Sequence, residues 1–306
     1  MIAALVAGVV ALELRSPLAI AVGGLASLAT ACAATLSAAF FYRRVRIDEK
    51  IVVTCVAITQ ALLFTGVASV LSYLLAREGG PLWDPTLQSW DKSIGFDWLA
   101  YVQFVDARGW LVLPYRMAYA SLIPQVIVVI VALGLRGRVC ELRVFLAAMI
   151  GSGFVAVLLS PMFAAVGNYV YLGIEPSDLE RIDPWAGYVH LNDLTALRTG
   201  KMRPLELPKM QGIITFPSYH ACLATLTMWA FSKSSLGWLR WGGLAVALLT
   251  ILATPIDGGH YLVDVLAGIA IALVAIAAAK RLVFIRFRPA AAIAQPERGF
   301  SAATAR

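Results

Sequence analysis

Seven runs of apolar residues, each approaching or exceeding the length of one membrane crossing, set the terms on which this chain can fold. They cover residues 17–42, 51–76, 110–135, 144–166, 217–231, 238–255 and 260–284. A helix needs about 20 such residues to cross the hydrocarbon layer, and inside that layer only helices and closed barrels satisfy their own backbone. Runs this long select helices. Hydrophobic residues make up 60% of the chain and charged residues 14%, against about 25% charged in soluble domains. An ordinary soluble enzyme, a disordered chain and a disulfide scaffold are thereby excluded. The expected fold is all-α, a polytopic membrane helix bundle with a six-helix core plus one or two N-terminal helices. Residues 2–12 are a shorter apolar run. No basic stretch precedes them and Glu13 and Arg15 follow, so they do not read as a signal peptide. The organisation divides into N-terminal helices over 1–50, the core over 51–287, and a loose cytoplasmic tail over 288–306.

The net charge is +7, but the cations do not point to nucleic acid. They crowd short loops: Arg43, Arg44, Arg46 and Lys50; Arg136, Arg138 and Arg143; Lys233 and Arg240; Lys280, Arg281, Arg286 and Arg288. Anionic headgroups attract cations so placed. Alternating crossings put all four groups on one side, which the positive-inside rule makes cytoplasmic. The other side receives residues 77–108, 168–216 and the turn near Asp257. In the first of these, Glu78, Asp84, Asp91, Asp97 and Asp106 alternate with Trp83, Trp90 and Trp98, and Trp110 follows. This reads as short helices lying in the interface with indole rings at headgroup depth. The sharper alternative is a lid over a lipid headgroup.

All three histidines, His190, His220 and His260, fall on that outer side. His220 sits in TFPSYHA, where a loop becomes a helix. Pro217 suits a first helical turn, and the N–H groups of Ser218, Tyr219 and His220 would then stay free as an anion site, with the Ser218 hydroxyl as a further donor. His260 sits in TPIDGGHYLVDVLAG, again at a helix start. Asp264, four residues on, shares its helical face. A carboxylate there can accept the imidazole Nδ1–H and leave Nε2 unprotonated toward a substrate, the pairing of a nucleophile with its orienter. A carboxylate inside an apolar run is costly, and is retained for function. Gly258 and Gly259 let the backbone approach a ligand. The segment LRTGKMRPLELP places Arg198, Lys201 and Arg203 just ahead of the Ser218 helix start, and guanidinium forks fit phosphate oxygens. Alone, each piece is ordinary: a histidine at a helix start is usually a cap, and outer-loop cations usually meet headgroups or water. Together, cations and a helix start around two histidines describe phosphoryl transfer.

At these residues the chain resembles the type 2 phosphatidic acid phosphatase superfamily of membrane lipid phosphatases and phosphotransferases. The family's second signature, Pro-Ser-Gly-His, is matched by Pro217, Ser218 and His220, with Tyr219 in place of glycine. His260 and Asp264 match the end of the third, and Arg203-Pro204 the end of the first. The resemblance covers roughly residues 51–284. It implies that His260 attacks phosphorus, that Asp264 orients it, that His220 protonates the leaving oxygen, and that Ser218 and Arg203 bind the phosphoryl group. Two family cations are missing. The first-signature lysine would fall at Ala196 and the third-signature Ser-Arg at Ala253-Thr254. Arg198 and Lys201 could replace one, and Arg116 the other. The bulky residue before His220 and the string GGHYLVDVLAG look most like the inositol phosphorylceramide synthase-like branch, whose members move a phosphorylated headgroup between lipids. A phosphodiester carries one charge fewer than a monoester, in keeping with fewer cations.

The rival reading is a non-catalytic membrane protein or transporter on the same fold. Transporters break their helices near mid-membrane, whereas the polar groups here gather at helix ends on one face. Haem ligation is disfavoured because haem ligands in bundles sit within facing helices. Cys32, Cys55, Cys140 and Cys222 form no C-x-x-C pair, so neither a disulfide nor a metal is expected, and no cofactor. The expected partners are a lipid phosphate or phosphodiester and the bilayer, with the site on the extracytoplasmic side of a bacterial inner membrane. The sequence does not set the oligomeric state.

Overall fold

The computed structural model describes residues 2–15, 22–202 and 204–286, and among them the long elements are all helices. Helices α1 (Ile2–Arg15) and α2 (Val22–Arg44) precede α3 (Glu49–Arg77) and both pack on it. Helix α1 has 14 described residues, fewer than the about 20 of a full crossing. Helix α3 starts where the Asp48 side chain accepts from the N–H groups of Lys50 and Ile51, two of the donors that a helix start otherwise leaves free.

Two short helices follow, α4 (Asp84–Ser93) and α5 (Trp98–Asp106), and then α6 (Gly109–Ala120) and α7 (Leu122–Leu135). The run over 110–135 was expected to be one crossing. It is instead a pair of helices bent by 54°. The cause is Pro124, which lacks an N–H and whose ring clashes with the carbonyl four residues back, at Ala120, where α6 ends. Next to the bend the Ala118 carbonyl accepts from the side chains of Thr250 and Gln125 at 3.0 and 3.3 Å. Helix α8 (Val139–Leu159) returns across the bundle. Then α9 (Asn168–Leu172), α10 (Trp185–Tyr188) and α11 (Leu191–Arg198) form a small cap ahead of α12 (Tyr219–Ser232), α13 (Gly237–Asp257) and α14 (Leu262–Arg286).

Helix α12 is the hub of the core and packs on α7, α8, α13 and α14. Phe64, Val129, Phe145, Met149, Leu226, Phe231 and Ile276 form one buried cluster around it. Large apolar side chains such as Leu113, Ile127, Leu273, Val274 and Leu282 face outward, as lipid-facing helices require. Among the described residues five helices, α2, α3, α8, α13 and α14, are long and apolar enough to cross a membrane, and α6 with α7 passes the same test when the bent pair is taken as one span. The chain is a multi-pass helical membrane protein.

Helix α12 has 14 residues, a rise of about 21 Å against a hydrocarbon thickness of about 30 Å. Its start is therefore sunk within the bundle, and Ser218 is fully buried. Gly268 permits this. A Cβ at that position of α14 would lie 2.2 Å from the Ser218 carbonyl oxygen, so only glycine lets α14 pass the start of α12 so closely. At the opposite end the basic loops meet. Arg136 donates to the Ser235 hydroxyl at 2.8 Å, and Lys50 lies beside Gly137. These basic loops and the histidines thus occupy opposite ends of the bundle, as the loop charges require. The segment over 288–306, expected to be loose, lies outside the described residues.

Candidate active site

Asp264 lies in the first turn of α14 and is completely buried. Its Oδ2 accepts the Tyr261 N–H at 3.0 Å and lies 3.3 Å from Nδ1 of His260. The four-residue spacing therefore brings the two side chains together as expected. His260 itself stands in the turn between α13 and α14, outside both spans, and is buried. Burial pushes its pKa down to about 4, with the Thr215 backbone opposing the shift. The imidazole is thus neutral at pH 7, the state a nucleophile needs.

His220 lies in the first turn of α12, half-buried, with its ring stacked on Tyr119 at 4.5 Å between centroids and 5° between planes. Gly258 links the two histidines. A Cβ there would meet the His260 ring at 2.7 Å and the Tyr119 hydroxyl at 2.8 Å. The glycine makes room for the protein's own Tyr119 and His260, so its bareness serves the site's assembly. Gly259 holds φ +63°, a left-handed backbone that other residues adopt at a cost, and its carbonyl accepts the Asn168 N–H at 2.9 Å.

Ser218 departs from its expected role as a free donor. Its hydroxyl caps α12 by accepting the Ala221 N–H, and its own N–H donates to the Asp264 carbonyl at 3.0 Å. One of the three N–H groups expected to be free is therefore used to tie α12 to α14. Of the basic residues, Arg198 donates to the Gly80 carbonyl at 2.6 Å, so its bonds run to the turn after α3 and not to a histidine. Lys201 is exposed. Arg203 lies outside the described residues. Arg116 pairs with Asp183 at 3.2 Å on the surface and is within electrostatic reach of Asp257 at the end of α13. The positions where the family places Ser-Arg hold the buried Ala253 and Thr254, and Thr254 spends its hydroxyl on the Thr250 carbonyl.

The acids of the outer loop do work the sequence did not reveal. Asp84 accepts the N–H groups of Val166 and Gly167 at 3.0–3.1 Å and the Tyr261 hydroxyl at 2.9 Å. Asp91 accepts the N–H groups of Leu262 and Val263 at 2.8 and 2.9 Å and so occupies the start of α14. Asp106 accepts three N–H groups from residues 180–182. Its burial would raise the pKa, but these bonds outweigh that and lower it. Trp98, expected at headgroup depth, is buried with its indole N–H on the Pro255 carbonyl at 2.9 Å. Trp90 and Trp110 are exposed. Helices α4 and α5 are thus a strap that clamps both sides of the His260 turn. Asp91→Ala should leave two helix-start donors unpaired, at a cost of about 1–3 kcal/mol for each buried group left so. The expected result is a lower unfolding temperature in detergent, with activity falling more than that of a surface control such as Glu78→Ala.

Two further groups stand near the histidines without having been singled out. His190 is buried beside His260, and its Nε2 has no hydrogen-bond partner. Asn168 is completely buried with both amide atoms unpartnered. Among the described residues no group of three or more His, Cys, Asp or Glu could hold a metal ion.

The structure thus gathers a buried histidine–aspartate pair and a second, half-buried histidine at one end of a bundle of apolar helices. A family profile described as the PAP2 superfamily matches residues 85–278, well over half of the chain. The protein belongs to that superfamily, whose members are generally phosphatases acting on phosphoric esters. No curated protein and no solved structure matches the chain.

Proposed function

We propose that the protein is a lipid phosphatase or phosphotransferase working through a phospho-histidine at the extracytoplasmic face. The observation that carries this is the buried His260–Asp264 pair at 3.3 Å, joined through Gly258 and Tyr119 to the stacked ring of His220. His260 attacks phosphorus through Nε2, Asp264 fixes the Nδ1–H tautomer, and His220 gives a proton to the departing oxygen. The acceptor hydroxyl then enters opposite His260, where the leaving group departed, and His220 takes its proton. The separation of the histidine end from the three basic loops between helices supports the extracytoplasmic side through the positive-inside rule.

The finer reading is transfer of a phosphorylated headgroup between lipids, as in the inositol phosphorylceramide synthase-like branch. Alanine and threonine at positions 253 and 254 support it, because a diester needs fewer cations. The test is to incubate purified protein in detergent with phosphatidic acid, undecaprenyl pyrophosphate and a panel of phosphodiester lipids, each with and without a polyol or lipid acceptor. Free phosphate from the first two marks a phosphatase. A new headgroup lipid marks a transferase. No product from any donor sinks the enzymatic reading.

Arg203 is the surviving part of the first signature and is assigned to the phosphoryl oxygens. Arg203→Ala should lower kcat/KM by about 10²–10³, the scale of a lost oxyanion donor. Wild-type turnover by this variant would remove Arg203 from the site.

A further inference from the structure

The chain lacks two of the cations that its family places around the phosphoryl group, yet it buries a third histidine that none of the three signatures contains. His190 is 6% exposed. It precedes α11, far in sequence from both other histidines. Three packed segments bring it to them. Val166 and Gly167 are fixed by Asp84. Gly187 packs on the Gly259 backbone and the Tyr169 ring. The Asn168 N–H holds the Gly259 carbonyl. The His190 ring bonds to the backbone at Val166 and Ala186 and lies within electrostatic reach of His260. Since Nε2 has no partner, those bonds are made at Nδ1, which must donate to the carbonyls. That donation fixes the tautomer and leaves Nε2 bare. A buried polar atom without a partner requires an explanation.

We propose that His190 is a phosphoryl-oxygen ligand: its Nε2 takes up a proton from solvent as the anion enters, and the resulting N–H donates to a non-bridging oxygen in place of a family cation. The inference rests on the phospho-histidine reading above. In-line displacement puts the entering and leaving groups opposite one another, so a side chain beside the nucleophile meets the non-bridging oxygens and not the acceptor. A bare Nε2 lone pair would repel those oxygens, so binding requires the proton. Burial and the neighbouring His260 lower the basicity of His190, and Asp84 and the two carbonyls oppose them. These are the titratable and charged groups that face it. An arriving anion tips this balance toward the imidazolium. No bond to phosphorus forms at His190. The proton returns to solvent when the product anion leaves.

The test uses full-length protein in detergent and tungstate, a tetrahedral dianion that does not itself titrate near neutral pH. Calorimetry at pH 7.5 in buffers of different ionisation enthalpy counts the protons taken up per tungstate bound. His190→Asn keeps a donor for the Val166 and Ala186 carbonyls and removes Nε2. His190→Gln, which cannot take up a proton but whose amide can still reach the Nε2 position, is run beside it, and the loss of the proton count is the readout for either folded variant. The expected result is about one proton fewer than wild type, tungstate affinity weakened about 10–100-fold as for a lost charge-assisted bond, and a weaker pH dependence of that affinity. Unchanged proton uptake and affinity in a folded variant would overturn the role of His190 and leave the phospho-histidine reading standing. Failure of the wild type to bind tungstate at all would instead remove the phosphoryl site, and this inference with it.

Discussion

Replacing His260 with alanine should abolish both hydrolysis and transfer, to the background rate. No other group holds the nucleophile's position. His220 is stacked flat on Tyr119 and no carboxylate lies four residues on to orient it, while His190 directs its only fixed bonds to the backbone. An acid-quenched reaction with a radiolabelled phosphoester should yield labelled wild-type protein and unlabelled His260→Ala. His220→Ala should still take the label from an activated p-nitrophenyl ester, whose leaving group needs no proton, and should lose most of its rate with a lipid alkoxide, by about 10²–10⁴ for a missing general acid. Label retained in His260→Ala and lost in His220→Ala would exchange the two roles. The same reaction has a pH signature. The folded-state pKa of His260 lies near 4, below its ordinary value, because burial disfavours the charged ring. Deprotonation of this group is therefore complete well below neutral pH, and the acid limb of kcat/KM that it controls should fall near 4. A limb near 6.5 would show an exposed nucleophile and contradict the buried geometry.

The parts of this site that could be read from the sequence are the local ones. His260 stands two residues before α14 and Asp264 lies in its first turn, so their meeting is a local contact across a four-residue spacing. The start of α12 follows from the capping Ser218 and the onset of the apolar run, although Pro217 lies before the cap and not in the first turn where it was expected. What could not be read is every contact closed across the chain. Tyr119 stacks on a histidine about a hundred positions away. Asp91 holds α14 from 171 positions away and Asp84 holds Tyr261 from 177. In sequence these acids look like any interfacial loop, and Trp98 looks like any headgroup anchor, because an alternation of tryptophan and aspartate carries no information about which backbone groups lie opposite. His190 showed only its side of the membrane. Its value depends on a vacancy at Nε2, which is a property of the packed structure. The bend at Pro124 did have a local signal. A proline three residues into a helix removes a donor whose carbonyl partner lies in the preceding turn, and that breaks a run which hydropathy alone scores as continuous.

Asp264→Ala should lower turnover by up to about 10⁴, the loss seen when the orienting acid of a triad no longer sets the tautomer of its histidine. Asp264→Asn should do much less, and the reason is in the hydrogen bonds. One carboxylate oxygen, Oδ2, serves both the Tyr261 N–H and His260 Nδ1, while Oδ1 has no partner. In the asparagine variant the Tyr261 N–H selects the amide oxygen for the shared position, since an amide N–H there would oppose it. The oxygen then still accepts the imidazole Nδ1–H and the productive tautomer survives. What is lost is the negative charge that supports the ring as positive charge develops on it, a charge-assisted contribution of about 1.5–3 kcal/mol, which corresponds to a loss of roughly 10- to 150-fold. Steady-state rates of the two variants, with thermal unfolding in detergent measured beside them to confirm the fold, give the comparison. A large gap between alanine and asparagine places the role of Asp264 in holding the tautomer, with Tyr261 as its reference point. Equal losses near 10⁴ would mean that the amide turns its N–H toward the imidazole despite Tyr261, and that the backbone bond at this turn is too weak to choose.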